Sequence, residues 1–287
     1  MLTLHTFAKG IGDAVCAYYA ACGAAEATQG QVTLLSRFPE WFERVSHPGV
    51  QIEPHRDEGI DLSGGQAGYN AQLAMSNDRK QWYCDIIARE AGIRSFAPRP
   101  PKNADNTQRS KPLDFPRYVL ISPFTTWSDR QWLPLHWARM AQQLAASDVP
   151  VVVAASGGEL KRTEEIFGSC PPQVSWHVGW PVNTLLDAIL GATVVIGNDS
   201  GIPHVSAMHG VPTVAIHSHL PHELIWSHTN VESVMPETAC VGCRWGHGAG
   251  SKANAHAGWA ACCNKGCSAL ATVAPERVAE VVLRMMR

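Results

Sequence analysis

Residues 192–218 read ATVVIGNDSGIPHVSAMHGVPTVAIHS, a strand pattern, a helix pattern and a second strand pattern in direct succession. The two outer runs, 192–198 and 211–218, are rich in Val, Ile and Ala. Near-continuous apolar runs of this kind are typical of parallel strands that are covered on both faces. Since a helix pattern at 201–210 separates the two runs, the segment predicts a βαβ unit within a parallel sheet.

The same alternation of strand and helix patterns extends through both halves of the chain. Between the halves, APRPPKNADNTQRSKPLDFP is rich in Pro, Asn, Ser and charge, which predicts a linker over about residues 97–115. We therefore predict an α/β fold with two doubly wound, Rossmann-like domains, 1–112 and 113–287. A central cleft is expected where the carboxyl ends of their strands face each other.

Composition narrows the class of protein. The 287 residues are 45% hydrophobic and 17% charged, which fits a folded globular chain. The net charge of −2 gives no global basic field, so we expect no nucleic-acid partner. No apolar run approaches the roughly 20 residues of a membrane span. The N-terminus also lacks the pattern of a secretory signal, and we expect a cytoplasmic protein.

The polar residues that follow the strand at 192–198 predict an anion site. Asp199, Ser200 and Gly201 stand where a strand ends and a helix begins, so backbone N–H groups and the positive end of the helix dipole lie beside them. Asp199 adds an acceptor for sugar hydroxyls. The alternative is that Asp199 or Ser200 only caps the helix.

Two further strand-to-helix loops of the second half should face the same cleft. In the loop SPFTTWSDRQWLP, Thr125 and Thr126 offer hydroxyls and Arg130 offers a forked cation that suits a diphosphate. Glu159 follows the next strand, where its carboxylate could meet a ribose hydroxyl. The alternatives are that Arg130 stacks on a neighbouring Trp and that Glu159 belongs to a solvated helix start.

Near the N-terminus, AKGIGDAV places a Gly-rich turn between the first strand and the first helix. The turn is only half of a dinucleotide-binding motif, and the charge of Asp13 would repel a pyrophosphate. A carboxylate opposite an anion site suits a general base that faces an electrophile. The alternative is again a helix cap.

Taken together, KGIGDAV, FTTWSDRQW and GNDSGIPH resemble glycosyltransferase family 9, which includes the bacterial ADP-heptose:lipopolysaccharide heptosyltransferases. The resemblance covers most of the chain, and the patterns T-T-x-x-D-[KR]-x-W and D-[ST]-G-x-x-H occur in the family's order. It implies a GT-B fold, with an acceptor-side N-terminal domain and a C-terminal domain that binds the nucleotide sugar. It also implies a nucleotide-sugar donor, most simply ADP-heptose, and no catalytic metal.

The resemblance also assigns roles to individual residues. Asp13 matches the general base that takes the acceptor's proton. Asp199 matches the residue that holds the donor sugar. His204 lies one helical turn further on, as in the family, and is assigned with it to donor binding. The remaining matches bind the diphosphate: Thr125, Thr126, Arg130, Ser200 and Gly201. Arg130 departs from the family, whose heptosyltransferases carry Lys there, which leaves the identity of the donor less fixed.

These roles predict an inverting glycosyltransferase that moves a sugar, a heptose in the first instance, to a hydroxyl group. The acceptor stays open between a glycan or lipopolysaccharide core and a protein, and peripheral association with the inner membrane is an option. One alternative is a nucleotide-sugar epimerase or hydrolase on the same scaffold. Another is a non-catalytic nucleotide-sugar-binding protein in which Asp13 is only a cap.

Five of the nine cysteines crowd into CVGCRWGHGAGSKANAHAGWAACCNKGC, residues 240–267. A C-x-x-C pair followed by a second pair has the spacing of a four-thiolate metal site. The predicted ligands are Cys240, Cys243, Cys263 and Cys267, with Cys262 as the alternative to Cys263. Zinc is the default for four thiolates, and iron forms similar sites. This segment also resembles that of the autotransporter heptosyltransferases, which bind iron through cysteines; disulfides or free thiols are the alternatives.

Overall fold

The computed structural model describes residues 1–6, 10–62, 78–104, 113, 115–126, 130–217, 228–237 and 268–287. The predicted α/β architecture is confirmed, since two parallel sheets carry helices on their faces.

Among the described residues, the N-terminal sheet has four parallel strands in the order β4-β2-β1-β5. Helices α1 and α2 pack against each other beside it. The strands are β1 (Leu2–His5), β2 (Val32–Ser36), β4 (Val50–Pro54) and β5 (Ile60–Asp61), and the helices are α1 (Ile11–Thr28) and α2 (Arg79–Ala91). The side chains from Ala14 to Ala25 in α1 are all buried, so this helix is enclosed on every side.

Part of the predicted linker is docked on the N-terminal domain. Strands β3 (Val45–Ser46) and β6 (Asn103–Ala104) pair antiparallel. The backbone N–H of Arg99 donates to the carbonyl of Tyr19 at 3.0 Å. A Cβ on Gly23 would come within 2.4 Å of the Ala97 carbonyl, so this stretch lies directly on α1. Residues 97–104 therefore follow the surface of the first domain.

In the part of the chain that the structure describes, the C-terminal sheet has six parallel strands in the order β12-β11-β10-β7-β8-β9. The first strand, β7, lies in the middle, which is the doubly wound arrangement. The strands are β7 (Val119–Ser122), β8 (Val151–Ala155), β9 (Val174–Val178), β10 (Val194–Asn198), β11 (Thr213–Ile216) and β12 (Val231–Val234). The helices are α3 (Pro134–Ala146), α4 (Leu160–Phe167), α5 (Val182–Gly191), α6 (Gly201–Met208) and α7 (Pro275–Met285).

Two hydrophobic clusters hold the molecule together. One lies between the C-terminal sheet and α3 and α7, around Trp132 and Trp137. The other covers the opposite face of that sheet and continues through α1 into the N-terminal domain, from Val205 to Leu34. The two domains therefore share a core at the contact of α1 with α6. Within the described residues, no helix combines the length and the hydropathy that a membrane span requires.

Candidate functional site

The loops predicted to bind the donor meet at one edge of the C-terminal sheet. Strand β7 lies between β8 and β10, and all three run in the same direction. Their carboxyl ends therefore lie side by side. The loop after β7 carries Thr125, Thr126 and Arg130, the loop after β8 carries Glu159, and the loop after β10 carries Asp199 and Ser200.

Arg130 and Asp199 form an ion pair at this edge. Nη1 of Arg130 lies 3.1 Å from Oδ2 of Asp199, and the two side chains are 18% and 6% exposed. The structure thus brings the predicted diphosphate ligand and the predicted sugar ligand into direct contact. A guanidinium carries five N–H donors in a planar fork, so one bond to a carboxylate does not use up its capacity for phosphate oxygens.

Asn198 fastens the two loops to each other. Its Oδ1 accepts a hydrogen bond from the backbone N–H of Trp132 at 3.1 Å, and its Nδ2 donates to the carbonyl of Pro123 at 2.5 Å. Asn198 is fully buried at the end of β10. Because both bonds reach the loop after β7, that loop is held beside Asp199 and Ser200. Sequence reasoning missed this role, since an Asn at a strand end is an ordinary turn residue.

Ser200 begins α6 without capping it. It occupies the N-cap position, yet its side chain makes no capping hydrogen bond. Its Oγ is buried, with no hydrogen-bond partner among the described residues. The capping interpretation is therefore wrong for Ser200. A buried hydroxyl at a helix N-terminus is suited to bind an anion.

The Glu159 side chain caps the helical segment to which Glu159 belongs. Its Oε2 accepts hydrogen bonds from the backbone N–H of Ser156 at 2.8 Å and from the Ser156 hydroxyl at 2.7 Å, which is a capping box. This contact agrees with the alternative that Glu159 belongs to a helix start. Its predicted role at a ribose hydroxyl stays a prediction.

Asp13 is paired with a cation rather than used as a cap. Helix α1 has Gly10 at its N-cap position and no side-chain capping bond, so the capping alternative for Asp13 is wrong. The Asp13 carboxylate instead forms an ion pair with Nη1 of Arg79, at the start of α2. Both side chains keep about a fifth of their surface exposed. Arg79 is a second residue that sequence reasoning missed.

The starts of α1 and α6 touch across the domain contact, and two glycines allow it. A Cβ on Gly201 would lie 2.9 Å from the Cβ of Ile11, and one on Gly12 would lie 2.9 Å from the His204 ring. Real Cβ atoms do not approach other atoms this closely. The two helix starts therefore meet at positions without side chains, and the turn that carries Asp13 lies next to Ser200 and Gly201.

His204 is buried at this contact, and its pKa reports the charges around it. Burial holds its pKa well below the ordinary value, and the charges of His228, Lys80, Arg79 and Arg130 lower it further. His204 is consequently neutral at pH 7. The cation paired with Asp13 and the cation paired with Asp199 both lower the pKa of this ring, so both lie near it. The ligand-binding role predicted for His204 stays a prediction.

Three more side chains complete the wall of this region, and two of them, Tyr19 and Lys80, were missed by sequence reasoning. Nδ1 of His228 lies 3.1 Å from the hydroxyl of Tyr19, and its Nε2 lies 3.5 Å from Nδ1 of His204. Lys80 is only 1% exposed, and its Nζ lies 4.4 Å above the Tyr19 ring. Burial lowers the pKa of Lys80. Imidazole groups and the buried Lys80 thus line the domain contact.

The predicted metal ligands lie outside the described residues. These are Cys240, Cys243, Cys262, Cys263 and Cys267.

A family model decides the class of the protein. The model described as glycosyltransferase family 9 (heptosyltransferase) matches residues 87–240, more than half of the chain. The chain belongs to glycosyltransferase family 9. It is accordingly a nucleotide-sugar-dependent glycosyltransferase enzyme. A comparison with curated proteins gave no match.

Solved structures of this glycosyltransferase family share the fold at low sequence identity. The heptosyltransferase WaaC of E. coli with ADP has a TM-score of 0.67 and 14% identity, over 99% of this chain and 100% of that chain. Heptosyltransferase II of E. coli has a TM-score of 0.59 and 14% identity, over 100% and 98%. The iron-containing dodecameric glycosyltransferase TibC of enterotoxigenic E. coli H10407 has a TM-score of 0.71 and 13% identity, over 99% and 75%. These likenesses confirm the GT-B arrangement of two Rossmann-like domains.

Proposed function

We propose that this glycosyltransferase moves a heptose from ADP-heptose to a hydroxyl group, with inversion at the anomeric carbon. One observation carries the proposal: the start of α6, with Ser200 and the Arg130–Asp199 pair, adjoins the turn that presents Asp13. The family description supports a heptose, and the complexes of WaaC with ADP and of TibC with ADP-D-beta-D-heptose support the donor.

The donor's diphosphate would bind at the start of α6. The backbone N–H groups of Ser200, Gly201 and Ile202 lie in the first turn, where an α-helix leaves its donors unbonded. Pro203 has no N–H, so Arg130 and the Ser200 hydroxyl supply the further donors. A nucleoside diphosphate is already a good leaving group, and the site has only to stabilise its growing charge. Each preorganised donor of this kind is worth about 3 kcal/mol in a site that excludes water.

Asp13 would act as the general base. An alcohol is a weak nucleophile, and a positioned carboxylate that takes its proton accelerates attack by about 10²- to 10⁴-fold. The ion pair with Arg79 orients the carboxylate. Attack from the face opposite the leaving diphosphate inverts the anomeric carbon. In this proposal Arg130 and the helix start neutralise the leaving group, and no catalytic metal is used.

The acceptor would bind on the N-terminal domain. A cavity of about 590 Å³ opens at the carboxyl ends of β2 and β4, on the edge of the sheet at which β1 also ends before α1. It is lined by Ser36, Arg37, Phe38, Pro39, Pro54 and His55. We propose this cavity as the acceptor site for a glycan or lipopolysaccharide core or for a protein. The cytoplasmic location, with peripheral membrane association as an option, stays a prediction.

We also propose a structural metal at the cysteine segment. The donor set, Cys240 and Cys243 with Cys267 and either Cys262 or Cys263, suits tetrahedral zinc or iron. The iron content of TibC supports the proposal. Metal analysis of the purified chain should find at least one ion per chain. A metal-free chain with the same melting temperature as the purified chain would contradict the proposal.

Binding of the donor is testable without knowledge of the acceptor. ADP-heptose at about 100 times its dissociation constant should raise the free energy of unfolding by roughly 2.7 kcal/mol, seen as a higher melting temperature. ADP should also stabilise the protein, whereas AMP, which lacks the second phosphate, should stabilise it much less. Other nucleotide sugars in the same panel report the specificity for base and sugar.

Two results of this panel would contradict the proposal. If no nucleotide or nucleotide sugar changed the melting temperature, the donor site would be wrongly placed. If AMP stabilised the protein as strongly as ADP, the start of α6 would not be a diphosphate site.

A further inference from the structure

Three side chains with metal-binding atoms converge on the N-terminal sheet, apart from the donor site. One ring nitrogen each of His5 and His55 and one carboxylate oxygen of Asp57 all lie within 4.8 Å of one another. The rings of His5 and His55 meet edge to face, with centroids 5.9 Å apart. No other group of this kind occurs among the described residues.

The backbone explains why these residues meet. His5 ends β1, whereas His55 and Asp57 belong to the connection 55–59 that leads from β4 to β5. Because β4 and β5 lie on opposite sides of β1 in the sheet, this connection has to pass β1. Gly59 permits close passage: its φ is +85°, and a Cβ there would lie 2.2 Å from the Thr3 carbonyl oxygen. The connection therefore lies directly on β1 and brings its ligands to His5.

The separations suit a tetrahedral ion. With metal–ligand bonds of about 2.0–2.1 Å, the ligand atoms of such an ion lie about 3.4 Å apart. Nε2 of His55 and Oδ1 of Asp57 are already 3.7 Å apart. A shift on the order of 1 Å in side-chain position would close the longer separations around an ion. Asp57, at 68% exposure, is free to make such a shift and lies open to solvent.

The charge of the connection favours a cation. Residues 53–59 carry three carboxylates, Glu53, Asp57 and Glu58, and one permanent cation, Arg56. The Arg56 guanidinium bonds to Glu58 at 2.6 Å and to Glu53 at 2.7 Å. Arg56 is thus engaged by the two glutamates, and Asp57 has His55 as its neighbour.

We propose that His5, His55 and Asp57 bind a divalent transition-metal ion of the zinc type. Two imidazoles with one carboxylate select zinc, cobalt or nickel over magnesium or calcium, which prefer oxygen ligands. Three protein ligands leave one tetrahedral position for water or a ligand oxygen. Because His55 also lines the cavity of about 590 Å³, the ion would lie in that cavity's wall. The proposal does not depend on the transfer reaction.

The test is metal binding by the full chain, first stripped with a chelator. Equilibrium dialysis against Zn²⁺ should show one more ion per chain in the wild type than the cysteine segment binds. Asp57→Ala and His55→Ala should weaken this ion by at least about 100-fold, more than the loss of an outer-shell partner costs. Glu58→Ala is the matched control, because Glu58 is a neighbouring carboxylate of similar exposure, 59% against 68%, outside the cluster.

Cobalt separates this site from the cysteines. Co²⁺ bound by imidazole and carboxylate gives visible ligand-field bands without the near-ultraviolet charge-transfer band of a thiolate site. The thiolate band should persist in Asp57→Ala, while the part of the visible absorption due to this site is lost. Equal zinc stoichiometry and affinity in the wild type, Asp57→Ala and His55→Ala would overturn the proposal. Asp57 is exposed, so Asp57→Ala should fold normally. Buried His5 is left unchanged, because its substitution could impair folding.

Discussion

Replacing Asp13 by Asn is expected to lower the rate of sugar transfer by about 10²- to 10⁴-fold while ADP still binds. Asn keeps the shape of the side chain and loses the ability to take a proton. The measurement is the release of ADP from ADP-heptose, with heptose-free lipopolysaccharide core as the first acceptor. Calorimetry of ADP binding to the same variant checks that the donor site is intact.

A control variant is needed because Asp13→Asn removes the ion pair with Arg79 together with the carboxylate. This contact is worth roughly 1 kcal/mol at its partial exposure. Arg79→Gln breaks the same contact and keeps the carboxylate, so it should lose much less activity. Equal losses in the two variants would make Asp13 a structural residue. If the enzyme consumed ADP-heptose without any acceptor, the epimerase or hydrolase would be favoured instead. If Asp13→Asn changed neither turnover nor ADP binding, a non-catalytic binding protein would be favoured.

Much of the fold follows from apolar patterning, because buried parallel strands leave a strong signal. The run from Val194 to Ile196 is buried on both faces and predicts β10 directly. Strand β12, by contrast, lies at the sheet edge with the sequence VESV, whose mixed polarity resembles a loop. The two-residue strands β3 and β6 are too short to carry any periodicity. Edge and very short strands are set by their tertiary partners.

The donor side of the site was predictable because neighbouring parallel strands end at one edge. That rule places the loops of Arg130 and Asp199 at one cleft, and the structure brings the two side chains to 3.1 Å from each other. Their roles toward a donor stay predictions. The other side depends on contacts between distant segments, such as Asp13 with Arg79 and His204 with His228. No local pattern encodes these pairs, since Asp13 meets Arg79 only through the packing of α1 against α2, and 24 positions separate His204 from His228.

Replacing Arg130 by Gln is expected to weaken ADP binding roughly 10- to 100-fold, the worth of one lost hydrogen bond to a charged group. Transfer should fall further, by about 10²- to 10³-fold, because charge grows on the diphosphate in the transition state. Arg130→Lys keeps the charge but loses the forked geometry of the guanidinium. Its ADP affinity and its transfer rate should lie between those of the wild type and those of Arg130→Gln. ADP calorimetry and steady-state rates with ADP-heptose measure both effects.

Arg130→Gln also affects stability, because Arg130 is the ion-pair partner of the buried Asp199. A second substitution separates this effect from the effect on ADP binding. Arg130→Gln leaves the Asp199 carboxylate without its ion pair, which should cost about 3 kcal/mol of stability. Adding Asp199→Asn removes that buried charge and should restore much of the stability. ADP carries no sugar for Asp199 to hold, so Asp199→Asn alone should still bind ADP. The double variant should therefore be stable and yet bind ADP weakly; ADP affinity restored together with stability would show that Arg130 only neutralises Asp199.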